Sequence, residues 1–183
     1  MERALARVCR EAGARVATNM LLRDMNVFVA RHDDRRLEVV ANGLPLWGGA
    51  QVAVDTTLVS PVRGDGRPQP RAAWDAGACL RRAERRKATT NPELGASRRC
   101  RLQVVALEVG GRWSPGACKF LRLLAKSKAR GVPEAVRKAA QVAFLARWSG
   151  MVAVAAARAF AASLLHFPPL PLAATAPSRS IGV

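Results

Sequence analysis

Residues 51–59 read QVAVDTTLV and residues 101–109 read RLQVVALEV. Both runs are short and rich in β-branched residues, as strands are. Between them, residues 75–89 (DAGACLRRAERRKAT) place Leu80, Ala83 and Lys87 at helical spacing behind Asp75, the expected N-cap. Strand, helix, strand in that order predicts a βαβ unit, in which the two strands are parallel because the chain crosses over between them.

Outward from that unit, Leu37–Ala41 is another mostly β-branched run. It is joined to residues 51–59 through Asn42, Gly43, Gly48 and Gly49, which supply the positive φ of a turn. These two runs predict an antiparallel hairpin. Ahead of it, Leu5, Val8, Ala12 and Val16 recur at helical spacing and predict an amphipathic helix over residues 2–17. Ser60–Ala73 carries Pro61, Gly64, Gly66, Pro68 and Pro70 and is expected to be a surface loop. Ser114 and Pro115 predict the N-cap and first turn of a helix reaching Ala129. Two further helices, 133–148 and 151–165, are expected on either side of Ser149 and Gly150. The expected organisation is an α/β core over residues 1–130, a helical appendage over 131–165, and a Pro-rich, disordered tail over 166–183.

Composition narrows the partners. Thirty Lys and Arg against thirteen Asp and Glu give a formal charge of +17, and twenty-five of the thirty cations are Arg. Such a charge repels itself in a compact state unless an anion faces it, and Arg forks match phosphate oxygens. Nucleic acid, DNA or RNA, is the expected partner; Ile181 is the sole Ile, and a GC-rich coding bias is the competing source of part of the Arg excess. Cys9, Cys79, Cys100 and Cys118 form no CxxC pair, which argues for reduced thiols rather than a structural zinc. The charged N-terminus does not resemble a secretory signal. The apolar stretch 142–165 is divided by Arg147 and Arg158 into pieces shorter than the roughly twenty residues of a membrane span. A nuclear or cytoplasmic, non-secreted protein without a membrane span is expected.

Asp55 is the sharpest local signal, a carboxylate within an apolar run that has to be paired, capped or coordinating. Glu38 in the first hairpin strand and Glu108 near the end of the third could meet it if the strands adjoin. Three carboxylates would then share a Mg²⁺ ion suited to activating water against a phosphodiester. The competing reading for each acid is a structural pair with one of the many arginines. Arg81, Arg82, Arg85, Arg86 and Lys87 stack like charges along one helix face, unfavourable alone and favourable against phosphate. Arg98, Arg99 and Arg101 form a second cluster and Lys126, Lys128 and Arg130 a third. Trp47, Trp74, Trp113 and Trp148 are scattered and are expected to be partly buried anchors rather than a base-stacking platform.

Four blocks together, Leu37–Trp47, Ala53–Pro61, Arg99–Arg101 and Ala106–Trp113, resemble the segment downstream of the reverse transcriptase in non-LTR retroelement polyproteins. The resemblance covers roughly residues 1–165. It implies a restriction-endonuclease-like αβββαβ-type core and Mg²⁺-dependent nicking of DNA for target-primed reverse transcription. A reverse transcriptase in the same or another chain is the implied partner. In the PD-(D/E)xK pattern of such domains, Asp55 matches the second acid, Thr57 stands where the Lys is expected, and Glu38 stands in for the first acid. Lys87 is then the migrated ammonium, Asp55, Glu108 and Glu38 the metal ligands, and Arg31-His32-Asp33 is similar to the element upstream of such sites. The alternatives are a basic binding module with a decayed site and a retroelement fragment without selected activity.

Overall fold

A computed structural model of the chain describes residues 1–25 and 27–165; the Pro-rich segment 166–183 lies outside the described residues. The fold is mixed α/β. Five α-helices, α1 (Glu2–Glu11), α2 (Ala78–Thr90), α3 (Pro92–Ala96), α4 (Pro115–Ala129) and α5 (Arg137–Leu165), surround strands β1 (Arg15–Leu21), β2 (Arg36–Asn42), β3 (Gln51–Val59) and β4 (Cys100–Glu108). The sheet order is β1-β2-β3-β4. β2 is antiparallel to both β1 and β3, and β4 runs parallel to β3. The hairpin and the parallel βαβ unit expected from the sequence are both present.

Alternation along the strands divides the core between two faces. Val39, Ala41, Val52, Val54, Val105 and Leu107 pack with Leu5 and Val8 of α1, Phe120 and Leu124 of α4, and Trp148 and Val152 of α5. On the opposite face, Val40 and Ala53 meet Leu22, Leu37 and Leu94, while Val104 and Ala106 meet Leu80 of α2. Helices therefore cover both sides of the sheet.

Three sequence expectations are corrected. The helix expected over 2–17 ends at Glu11, and residues 15–21 form the edge strand β1. Gly13, at φ +105, turns the chain where no residue with a Cβ sits easily. Asp75 does not cap α2, whose N-cap is Gly77; its carboxylate instead pairs with Arg81 and Arg71. The two helices expected after Pro133 are one continuous helix, because Trp148, Val152 and Ala156, buried on either side of Ser149-Gly150, share a single packed stripe. By contrast, Ser114 caps α4 as expected, its Oγ accepting from the Ala117 N–H at 3.2 Å.

The helical run 134–165, with mean hydropathy 1.4 over its most apolar window, is long and apolar enough to cross a membrane. Only 17% of that window is buried, and Val142, Val154, Leu164 and Leu165 lie exposed. The four cysteines are free thiols, and burial pushes the Cys9 thiol up to about 12.

α5 is tied to α1 through one carboxylate. Glu11 accepts from Arg147 Nη2 at 3.0 Å, Trp148 Nε1 at 2.9 Å and Arg7 Nε at 2.9 Å. Those donors, Arg147 first, hold its pKa down at about 2 against the usual 4.5. A depressed carboxylate stabilises the fold fully above its unfolded value and loses that contribution as pH falls towards the folded one. Thermal midpoints followed by tryptophan fluorescence should therefore place Glu11→Gln below the parent at pH 7. The gap should close between about pH 4.5 and 2.

Candidate active site

β3 carries Asp55 at its middle, 6% exposed. A carboxylate at that depth needs a partner, and α2 provides one: Lys87 Nζ donates to Asp55 Oδ1 at 2.8 Å. The helix returns alongside the strand it follows, so a Lys three residues from its C-terminus reaches back to mid-strand.

Glu38 arrives from β2. Val40 pairs with Ala53 and Val39 with Val54, so the antiparallel register sets Glu38 level with Asp55. The ladder to β1 is interrupted at this point, since Thr18 pairs with Val39 and Met20 with Leu37 while Asn19 and Glu38 are passed over. Asn19 is left-handed there, at φ 54, a conformation Asn tolerates better than most residues. The interruption leaves the Glu38 carboxylate to turn towards β3, where Oε2 accepts from the Thr56 N–H at 2.9 Å and from Thr56 Oγ1.

Glu38, Asp55 and Lys87 line one concavity of about 280 Å³, rimmed by Arg35, Arg36 and Arg86. Asp55 Oδ2 and Glu38 Oε1 accept no hydrogen bond among the described residues. Two carboxylates with unused oxygens, an ammonium and a guanidinium rim make a site suited to a phosphate and a cation together. Asn91, buried beside the concavity, uses its Nδ2 on the Lys87 carbonyl at 3.3 Å and so braces the end of α2.

The third expected acid does not join them. In the parallel ladder Asp55 lies beside Val104, whereas Glu108 lies beside Val59. Four residues at about 3.3 Å each put it roughly 13 Å along the sheet. Glu108 is buried near Arg112, whose Nη1 is 3.4 Å away, so the structural pairing is the one realised. Among the described residues no group of three His, Cys, Asp or Glu side chains is placed to hold a metal.

Asp33 is also occupied elsewhere. Arg35 Nη2 reaches Asp33 at 2.6 Å and Glu93 at 2.7 Å, and its Nη1 donates to the Thr90 carbonyl. These contacts hold both carboxyls below the usual range and pin the β2 entry to α3. Asp33 thus serves this clamp and does not line the concavity.

Not all the expected basic residues are free. Arg81 is engaged by Asp75, and Arg101 lies over the Trp47 ring at 5.3 Å. Arg82 Nη2 donates to the Pro70 carbonyl at 2.9 Å. Arg85, Arg86, Arg98 and Arg99 have no ion-pair partner among the described residues and remain open to an anion. Trp47 meets both Arg101 and Phe120, the latter stacked at 6.2 Å, and Trp148 is fully buried. Trp74, expected to be an anchor, is 79% exposed. Arg36 on the rim and Thr56 behind Glu38 do not stand out in the sequence; the signal for each is its place next to an acid-bearing strand position. No protein-family model matches the chain and no curated protein matches it at a significant level, so the geometry itself carries the case for function.

Proposed function

We propose that this chain is a retroelement-type, restriction-endonuclease-like domain that binds DNA and nicks it with a divalent metal. The carrying observation is that Glu38, Asp55 and Lys87 line one concavity with an arginine rim. Mg²⁺ keeps several waters and is commonly held by one or two carboxylates together with substrate phosphate oxygens, so the unused oxygens of Asp55 and Glu38 fit it. When bound, the ion supplies charge neutralisation at the phosphate and acidifies water.

The protein's own groups divide the remaining work. Arg36 and Arg86 draw the phosphodiester into the concavity and orient it. Lys87, anchored on Asp55, is placed to shift its ammonium to a non-bridging phosphate oxygen as negative charge builds there. Thr56 fixes the Glu38 carboxylate from behind, so that its other oxygen faces the substrate.

A second reading has its own support. Thr57 occupies the motif's Lys position, and Asp55 already carries Lys87 as a neutralising partner. Under that reading the domain binds nucleic acid through Arg85, Arg86, Arg98 and Arg99 without cleaving it.

Supercoiled plasmid with Mg²⁺ or Mn²⁺ separates the two. Nicking is expected from the parent, should vanish in Asp55→Ala, and should fall about 100- to 1,000-fold in Lys87→Met, as for loss of one preorganised donor. Activity persisting in Asp55→Ala would remove the proposed mechanism. In the binding reading, nicking is absent throughout and Arg85→Ala/Arg86→Ala flattens the log-log salt dependence of affinity by about 0.9 for each phosphate no longer neutralised.

A further inference from the structure

The connection between β3 and α2 is a built element rather than a plain loop. Val62 bridges Pro68 in antiparallel fashion, the Arg63 N–H donates to the Arg67 carbonyl at 2.8 Å, and the Gln69 N–H donates to the Pro61 carbonyl at 2.7 Å. The tip closes through the Gly66 N–H on the Arg63 carbonyl at 3.0 Å, with Gly66 at φ 79. A three-residue hairpin loop ending in a left-handed glycine has this form. Asp65 Oδ1 secures it by accepting from the Arg67 N–H at 3.0 Å.

Its base is equally fixed. Arg82 of α2 holds the Pro70 carbonyl, and Asp75 gathers Arg71 at 3.4 Å together with Arg81. A short closed ribbon, a finger, therefore stands exposed on the surface with both its tip and its base tied. Arg63 and Arg67 face each other directly across it, so their side chains leave the same side. Like charges in that relation are destabilising, and neither arginine has an ion-pair partner among the described residues. Trp74 follows at the base with 79% of its surface in solvent.

The finger is also continuous with the candidate site. A recess between its base and α2 is lined by Ser60, Gln69, Arg82 and Arg86, and Arg86 lines the carboxylate concavity as well. Arg82 and Arg86 are one helical turn apart, about 6 Å along the axis. A basic ridge thus runs from the acids to the finger.

We propose that residues 61–74 are a second grip on duplex DNA, with Arg63 and Arg67 each neutralising a phosphate on either side of the minor groove and Trp74 resting on the sugar edge below. This rests on the reading of the chain as a DNA-binding domain. Opposed ribbon positions are about 5 Å apart at their Cα atoms, and two long Arg side chains splaying from them can reach both sides of a minor groove roughly 6 Å wide. Arginines at narrow minor grooves are favoured by the concentrated negative potential there.

The test measures affinity for a short DNA duplex, and for one of its single strands, across a salt series with the full chain, Arg63→Ala/Arg67→Ala and Trp74→Phe. With two phosphates no longer neutralised, the log-log salt slope on duplex should flatten by about 1.8 and binding should weaken roughly 10-fold or more near 0.1 M salt. Duplex should change the parent's tryptophan emission, and Trp74→Phe should abolish most of that change. All three side chains are exposed, so thermal midpoints should be no lower than the parent's. A double variant with the parent's slope and affinity on duplex overturns the finger while leaving DNA binding intact. An equal weakening on the single strand overturns the groove assignment, and a parent that binds no DNA overturns both this proposal and the reading beneath it.

Discussion

A carboxylate set at the middle of an apolar strand has to be answered by a cation, and the Asp55–Lys87 pair at 2.8 Å is that answer. Its effect is architectural as well as chemical. Removing Lys87 would leave the Asp55 carboxylate uncompensated at a buried position. α2 is thereby held with Lys87 at the level of Asp55, which places Arg86 on the concavity and Arg82 against the base of the finger. The ion pair thus acts together with the apolar contact of Leu80 on Val104 and Ala106 in seating the helix beside the site.

Much of the fold can be read from periodicity because most elements bury one clear face. Residues 51–59 and 101–109 advertise strands through Val and Leu, and Ser114-Pro115 marks a helix start by chemistry that tertiary contacts do not override. β1 is illegible for a related reason. As an edge strand it is largely exposed, so its residues give no alternating signal, and Val16 falls by chance on the helical stripe of Leu5, Val8 and Ala12. Ser149-Gly150 misleads in the opposite direction, since weak local propensity yields to a stripe buried on both sides of it.

The site is partly legible. Asp55 and Lys87 can be found because an acid in an apolar run and a cation on the next helix are each conspicuous, and Glu38 because the hairpin sets its strand beside that of Asp55. Glu108 cannot be assigned correctly without the register. The parallel pairing joins residues 49 apart, so an acid level with Asp55 would have to stand at Val104. Sequence spacing gives no access to that offset. The interruption at Asn19 is equally hidden: the residue is ordinary, and only its left-handed backbone shows that β2 is released there.

The sheet's order also governs how the chain reaches its native state. Strands β1 to β3 are neighbours in both sequence and space, joined through residues 22–35 and 43–50, and α1 adjoins them from the start. β4 alone must wait for a crossover running from Val59 to Cys100. Non-local pairing of that kind forms late and slowly, because chain entropy is spent before contacts return it. The concavity straddles the boundary between these stages: its two acids stand on the early meander, while its ammonium and the ridge beyond it arrive only with the crossover. In this order of contacts the two carboxylates belong to the locally paired part of the chain and Lys87 to the part that closes over a longer span.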